Sequence, residues 1–137
     1  MSMKVSQGNV FFIQHREVSS SKPHYLLVLN PNPESSEIIV LGVITSGIEK
    51  AKLRIAYSRE SEKTLVTVSP EDYPALDHDS VIDCNSPVKY SKWEFENSFG
   101  QIASTRKADI SLEIVNAVIA GVLLSNQVPE RIKKQLR

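Results

Sequence analysis

Seven consecutive residues, Ile38-Ile-Val-Leu-Gly-Val-Ile44, carry no polar side chain. The run is short for a helix and rich in β-branched residues, so it reads as a strand. Successive strand side chains point to opposite faces, and a strand that is apolar throughout needs cover on both of them. That requirement places Ile38 to Ile44 at the centre of a sheet.

Shorter strand-like runs surround it. Val10-Phe11-Phe12-Ile13, introduced by Gly8-Asn9, suits a first strand. After a serine-rich loop over Val18 to Lys22, Tyr25 to Leu29 suits a second. It ends at Asn30-Pro31-Asn32-Pro33, where two prolines in four residues oppose both ladder pairing and helix. Lys52 to Tyr57 alternates polar and apolar side chains, as a strand with one wet face does, and Leu65 to Val68 and Ser80 to Cys84 follow. Strands at this spacing, with no helix between them, predict a small antiparallel barrel or two packed sheets.

The pattern changes only near residue 109. Asp109 or Ser111 can cap a helix with Glu113 in its first turn, and Leu112, Val115, Ile119 and Val122 recur at three-and-four spacing. The expected organisation is one domain: a barrel over about 5–104, a closing helix over about 110–126 and a basic extension over 129–137. A helix this apolar calls for cover from the barrel and from a second copy of the chain, hence a homodimer. The extension, from Pro129 to Arg137, reads as a solvated tail whose cations could also meet phosphate.

Sixteen basic residues balance sixteen acidic ones, so no global field draws the chain to nucleic acid or to an anionic membrane. Cys84 is the only cysteine and reads as a small buried apolar residue. The opening MSMKVSQGNV lacks the apolar core of a secretion signal, which predicts a cytoplasmic protein. The longest apolar stretch, Ile110 to Leu124, is too short and too interrupted to span a membrane.

Taken in order, several landmarks resemble one family, the MazF/PemK/Kid-like toxins of bacterial toxin–antitoxin pairs. Gly8-Asn9-Val10 is similar to the family's Gly-Asp-Ile/Val opening, and HYLLVL, His24 to Leu29, to the strand that follows its Arg-Pro pair. Gly42-Val-Ile-Thr-Ser46 resembles its Pro-Ile/Val-Thr-Ser signature. Asp79 to Pro87 resembles its later Ser/Gly-Val-Val strand, and Phe99-Gly-Gln-Ile102 falls near the glycine before its closing helix. The resemblance implies a mainly β fold with a C-terminal helix, an SH3-like antiparallel barrel of the MazF/CcdB kind. It also implies ribosome-independent cleavage of RNA, a cognate antitoxin and no cofactor.

Two departures stand out. The arginine of the family's Arg-Pro pair falls on His24, or on Lys22 if Pro23 is the anchor. The family's acidic-Gln-x-Arg stretch falls on Asn85-Ser86-Pro87-Val88. Metal-free cleavage needs a proton carrier near the ribose 2′-hydroxyl and donors to the phosphoryl oxygens. His24 and Thr45 are therefore expected to be catalytic, and Lys22, Ser46, Asn85 and Lys89 to contact RNA, with no metal. Thr45 and Ser46 could instead satisfy local backbone groups at a strand end. His15 and His78 read as solvent-exposed, and Trp93 and Phe95 as core, dimer or base-stacking aromatics. A family member that lost the arginines could also act by binding alone, to antitoxin, RNA or DNA gyrase.

Overall fold

The computed structural model describes residues 5–13, 23–99 and 106–137. Seven strands form one antiparallel sheet: β1 (Val10–Ile13), β2 (His24–Val28), β3 (Ile38–Thr45), β4 (Leu65–Val68), β5 (Ser80–Asp83), β6 (Val88–Ser91) and β7 (Arg106–Lys107). Among the described residues four α-helices accompany them: α1 (Ile48–Ser58), α2 (Lys92–Phe99), α3 (Leu112–Leu124) and α4 (Glu130–Lys133). The strand order is β4-β5-β3-β2-β1-β7, and β6 also pairs with β3. Among the described residues the sheet is an open path and does not close into a ring.

β3 is the axis. One edge of it pairs with β2, from Tyr25↔Ile44 to Val28↔Leu41. Its other edge is shared: β6 takes Ile38 to Leu41, and β5 takes Ile44 and Thr45. Both faces of β3 are buried, as its composition requires. Ile39 and Leu41 enter one cluster with Phe11, Leu26, Val28, Val88, Tyr90 and Phe95. Val40 and Ile44 enter the other, with Leu27, Leu29, Ile82, Val115, Val118 and Val122. Gly42 sits where α3 comes closest: a Cβ there would lie 3.1 Å from Ile82 Cγ2 and 3.7 Å from Val118 Cγ1. The turn at Asn30-Pro31 is closed by a side chain. Asn30 Nδ2 donates to Ile38 O at 2.8 Å and its Oδ1 accepts from Val40 N at 2.7 Å, continuing the ladder where proline cannot.

α3 forms where its stripe predicts, with Ser111 as cap: the Ser111 hydroxyl accepts from Ile114 N at 3.4 Å. Two other elements depart from expectation. Lys52 to Tyr57 lies inside α1, not in a strand. Ile48, Ala51 and Ile55 recur at helical spacing and turn inward, whereas Leu53 and Tyr57 are 66% and 94% exposed. The intervening Glu, Lys, Ala and Arg are strong helix formers, and the short alternation mimics a strand only because two periods overlap there. α2, absent from the strand-based reading, is announced by Ser91-Lys-Trp-Glu94. Ser91 Oγ accepts from Glu94 N at 3.0 Å and Glu94 Oε1 accepts from Ser91 N at 3.1 Å, a reciprocal capping box.

The basic C-terminal segment is no solvated tail. Ile132 and Leu136 are 4% exposed and join the core under α3, and Lys133 Nζ donates to Ser125 O at 2.6 Å. The cations occupy the outer side of a short amphipathic turn whose inner side is apolar.

Candidate active-site groove

Where β3 ends, the chain turns directly into α1. The Thr45 hydroxyl accepts from Gly47 N at 3.2 Å, and Gly47 then serves as the helix N-cap without a side-chain bond of its own. This local bond is what a threonine at a strand end commonly makes, and it leaves the hydroxyl proton free to be donated outward.

The register brings His24 to the same place. Tyr25 pairs with Ile44, so one further antiparallel step sets His24 opposite Thr45. Both also share a face. His24 alternates with Leu26 and Val28, Thr45 with Leu41 and Val43, on the side that α2 covers further along the sheet. At this end a groove of about 830 Å³ opens among the described residues.

His24, Thr45 and Ser46 all line that groove. His24 is partly exposed, and its Nδ1 is buried with no hydrogen-bond partner among the described residues. One wall is the start of α1, with Lys50 and Arg54; another is the loop from Ala75 to Ser80, with Asp77 and His78. Aromatic surface lies at the β1–β2 side, where the rings of Phe12 and Tyr25 pack 4.4 Å apart and the Tyr25 hydroxyl donates to Ala75 O at 3.1 Å.

The remaining expected contacts fall elsewhere. Asn85 is 8% exposed and turned into the protein, donating through Nδ2 to Thr64 Oγ1 at 2.8 Å and to Asp83 Oδ1 at 3.1 Å. Its Nδ2 is committed to these two acceptors, while its Oδ1 is buried with no hydrogen-bond partner among the described residues. Lys89 is exposed on β6 opposite Val40 and outside the groove lining. Lys22 and His15 lie outside the described residues. Of the aromatic pair, Phe95 is buried against Phe11 in an edge-on contact with ring centroids 5.7 Å apart, while Trp93 is 71% exposed.

The reading of single residues missed Arg54, whose Nε lies 3.3 Å from Asp83 Oδ2 at the groove wall. Assigning residues 52–57 to a strand removed the signal that could have found it. On a helix that starts at Ile48, the seventh position lies on the same side as the turn that follows Thr45 and Ser46. His78 is exposed, as expected, and its place in the groove wall was not foreseen.

No sequence-family model matches this chain, and no curated protein matches it. In shape it is similar to a chain of the solved structure of an endoribonuclease in complex with its cognate antitoxin from mycobacterial species. The TM-score is 0.53 with 11% sequence identity, covering 92% of this chain and 98% of that one. The fold is shared. The match spans nearly the full length of both chains, so the open antiparallel sheet and the C-terminal helix belong to one architecture. No helix of the described residues is long and apolar enough to cross a membrane.

Proposed function

We propose that this protein is the toxin of a toxin–antitoxin pair, a divergent MazF/PemK/Kid-like endoribonuclease that cleaves single-stranded RNA without a metal ion. The observation that carries the reading is the convergence of an imidazole, His24, with the hydroxyls of Thr45 and Ser46 on one open groove. The fold shared with an endoribonuclease supports it.

In this mechanism the ribose 2′-oxygen attacks phosphorus, a P–O2′ bond forms and the P–O5′ bond breaks, leaving a 2′,3′-cyclic phosphate and a 5′-hydroxyl. One proton leaves the 2′-hydroxyl and another must reach the departing 5′-oxygen. His24 carries one of these protons. Its Nδ1 is enclosed, so exchange with a ligand runs through Nε2. Thr45 and Ser46 donate to the phosphoryl oxygens as charge builds on them. His78 is the second imidazole of the groove and the candidate for the other proton. Phe12 and Tyr25 offer a surface on which a base can stack. The antitoxin occupies the same groove, in the cytoplasm where RNA is met. Leu112 and Leu124, 60% and 48% exposed on α3, are the surface through which two copies pair.

One observation favours a second reading. Lys50 and Arg54 in the groove are offset by Glu49, Asp77 and Asp83, a mixture that suits a protein ligand as well as an anionic one. In that case the protein acts by binding, for example to gyrase.

The purified protein, incubated with a mixed RNA pool and a chelator, is expected to leave cyclic-phosphate ends. His24→Ala should slow cleavage by about a hundredfold or more with an unchanged melting temperature. No cleavage by the parent, or equal cleavage by the variant, defeats the ribonuclease reading. DNA breaks that require gyrase would establish the alternative.

A further inference from the structure

The proposed mechanism leaves two groove cations, Lys50 and Arg54, without a role, and of the two it is Arg54 that a carboxylate holds among the described residues. Arg54, on α1, meets Asp83 through Nε alone, and Nη1 and Nη2 have no partner among the described residues. The two side chains differ sharply in access: Asp83 is 9% exposed and Arg54 54%. The carboxylate is enclosed, while the guanidinium still opens on the groove.

The carboxylate is itself held from behind. Its Oδ1 accepts from Asn85 N at 3.0 Å and from Asn85 Nδ2 at 3.1 Å. Asn85 Nδ2 also donates to Thr64 Oγ1 at 2.8 Å, and the Thr64 hydroxyl donates to Ser61 O at 2.6 Å. Thr64 and Asn85 are both buried. A chain of fixed polar groups thus starts in the core, at Thr64, and ends by orienting one edge of a guanidinium. A lone exposed ion pair needs no such support and contributes little stability. The construction instead costs a long side chain its freedom and leaves four N–H groups facing open space, in the planar fork that matches two oxygens of a phosphate.

We infer that Arg54 is the phosphate-binding cation of this groove, taking the place of the arginine that the resembled family carries before its second strand, and that Asp83 and Asn85 are positioning residues acting through it. The identity of the phosphate as that of RNA rests on the ribonuclease reading; the cation's role does not. Asn85 thereby regains a part in the site, though it touches no ligand.

The test pairs binding with cleavage. Binding of a mixed-sequence 2′-deoxy oligonucleotide, which cannot undergo 2′-hydroxyl attack, is measured beside KM and kcat on the matching RNA. Arg54→Gln should raise both Kd and KM by about ten- to a hundredfold, the value of a charge-assisted pair, with the melting temperature unchanged. Arg54→Lys should restore part of the loss, since it keeps charge without the fork. Asp83→Asn should raise KM in the same direction, and adding Arg54→Gln to it should add little, because both act through one contact. Asp83 also holds Asn85, so its variant can lose stability; Arg54→Gln, on an exposed helix face, tests the cation by itself. If Arg54→Gln binds and cleaves like the parent while His24→Ala is inactive, the assignment of Arg54 falls and the ribonuclease stands. If the parent binds the deoxy oligonucleotide through Arg54 and cleaves nothing, the ribonuclease falls and Arg54 stands. Fully additive effects of Asp83→Asn and Arg54→Gln would remove the positioning role.

Discussion

Gly121 shows how a single side chain can be decided by its neighbours. In the middle of α3, helix propensity favours alanine over glycine by about 1 kcal/mol. The surroundings oppose it: a Cβ would lie 2.6 Å from Cys84 Sγ and 3.0 Å from both Cys84 Cβ and Lys63 O. Cys84 is fixed by its backbone bond to Thr64 O at 2.8 Å and Lys63 O is main chain, so neither yields cheaply. Overpacking at such a point costs about 1–3 kcal/mol, enough to reverse the propensity. Gly121→Ala should therefore lower the free energy of unfolding measured in urea. An increase would mean that α3 lies further from the sheet than its contacts here imply. Thr45 carries the same lesson at the groove: its hydroxyl closes a turn and the residue also lines the groove, and sequence alone does not separate those two positions.

Among the elements, α1 and the C-terminal turn changed the reading most. Val10–Ile13 and β3 are legible as short β-branched and aromatic runs bounded by turn residues, and α3 is legible because its three-and-four repeat runs through more than three turns. Residues 52–57 are not, since six alternating residues fit a strand and a helix equally until the inward side is known. With α1 misread, Arg54 lost its connection to Thr45 and Ser46. Ile132 and Leu136 are hard to see in the sequence because four Lys and Arg residues in nine conceal two apolar positions four apart. The burial of both predicts that Leu136→Ala costs about 2–5 kcal/mol, read as a shift in the urea midpoint. A tail standing in solvent would show no shift.

For the molecule as a whole, two buried acids set its behaviour at alkaline pH. Burial, then Tyr25 and Asp109, push the Tyr73 phenol from 10.0 to about 12, while its hydroxyl donates to Ala108 O at 2.5 Å. Burial, then Asp83, push the Cys84 thiol from 9.0 to about 12. Each group holds its proton more tightly in the folded chain than in the unfolded one. Between about pH 9 and 12 the unfolded state binds fewer protons, so stability falls as pH rises through that window and is intact below it. Urea titrations at pH 8 and pH 10.5 should show a lower midpoint at the higher pH. In the folded protein at pH 8, Cys84 should resist a thiol-modifying reagent that labels it at once in denaturant.

The local patterns of the chain were enough to establish a mainly antiparallel sheet built around Ile38 to Ile44 and closed by one apolar helix, because periodicity and capping are properties of neighbouring residues. They also placed a histidine and two hydroxyls at strand ends. Contact between distant segments decided the rest: that His24 stands across from Thr45, that Arg54 meets Asp83 from a helix, and that Asn85 turns inward to Thr64. Those pairings arise from strand register and burial, whose energies depend on residues dozens of positions apart, and no short window of sequence contains them.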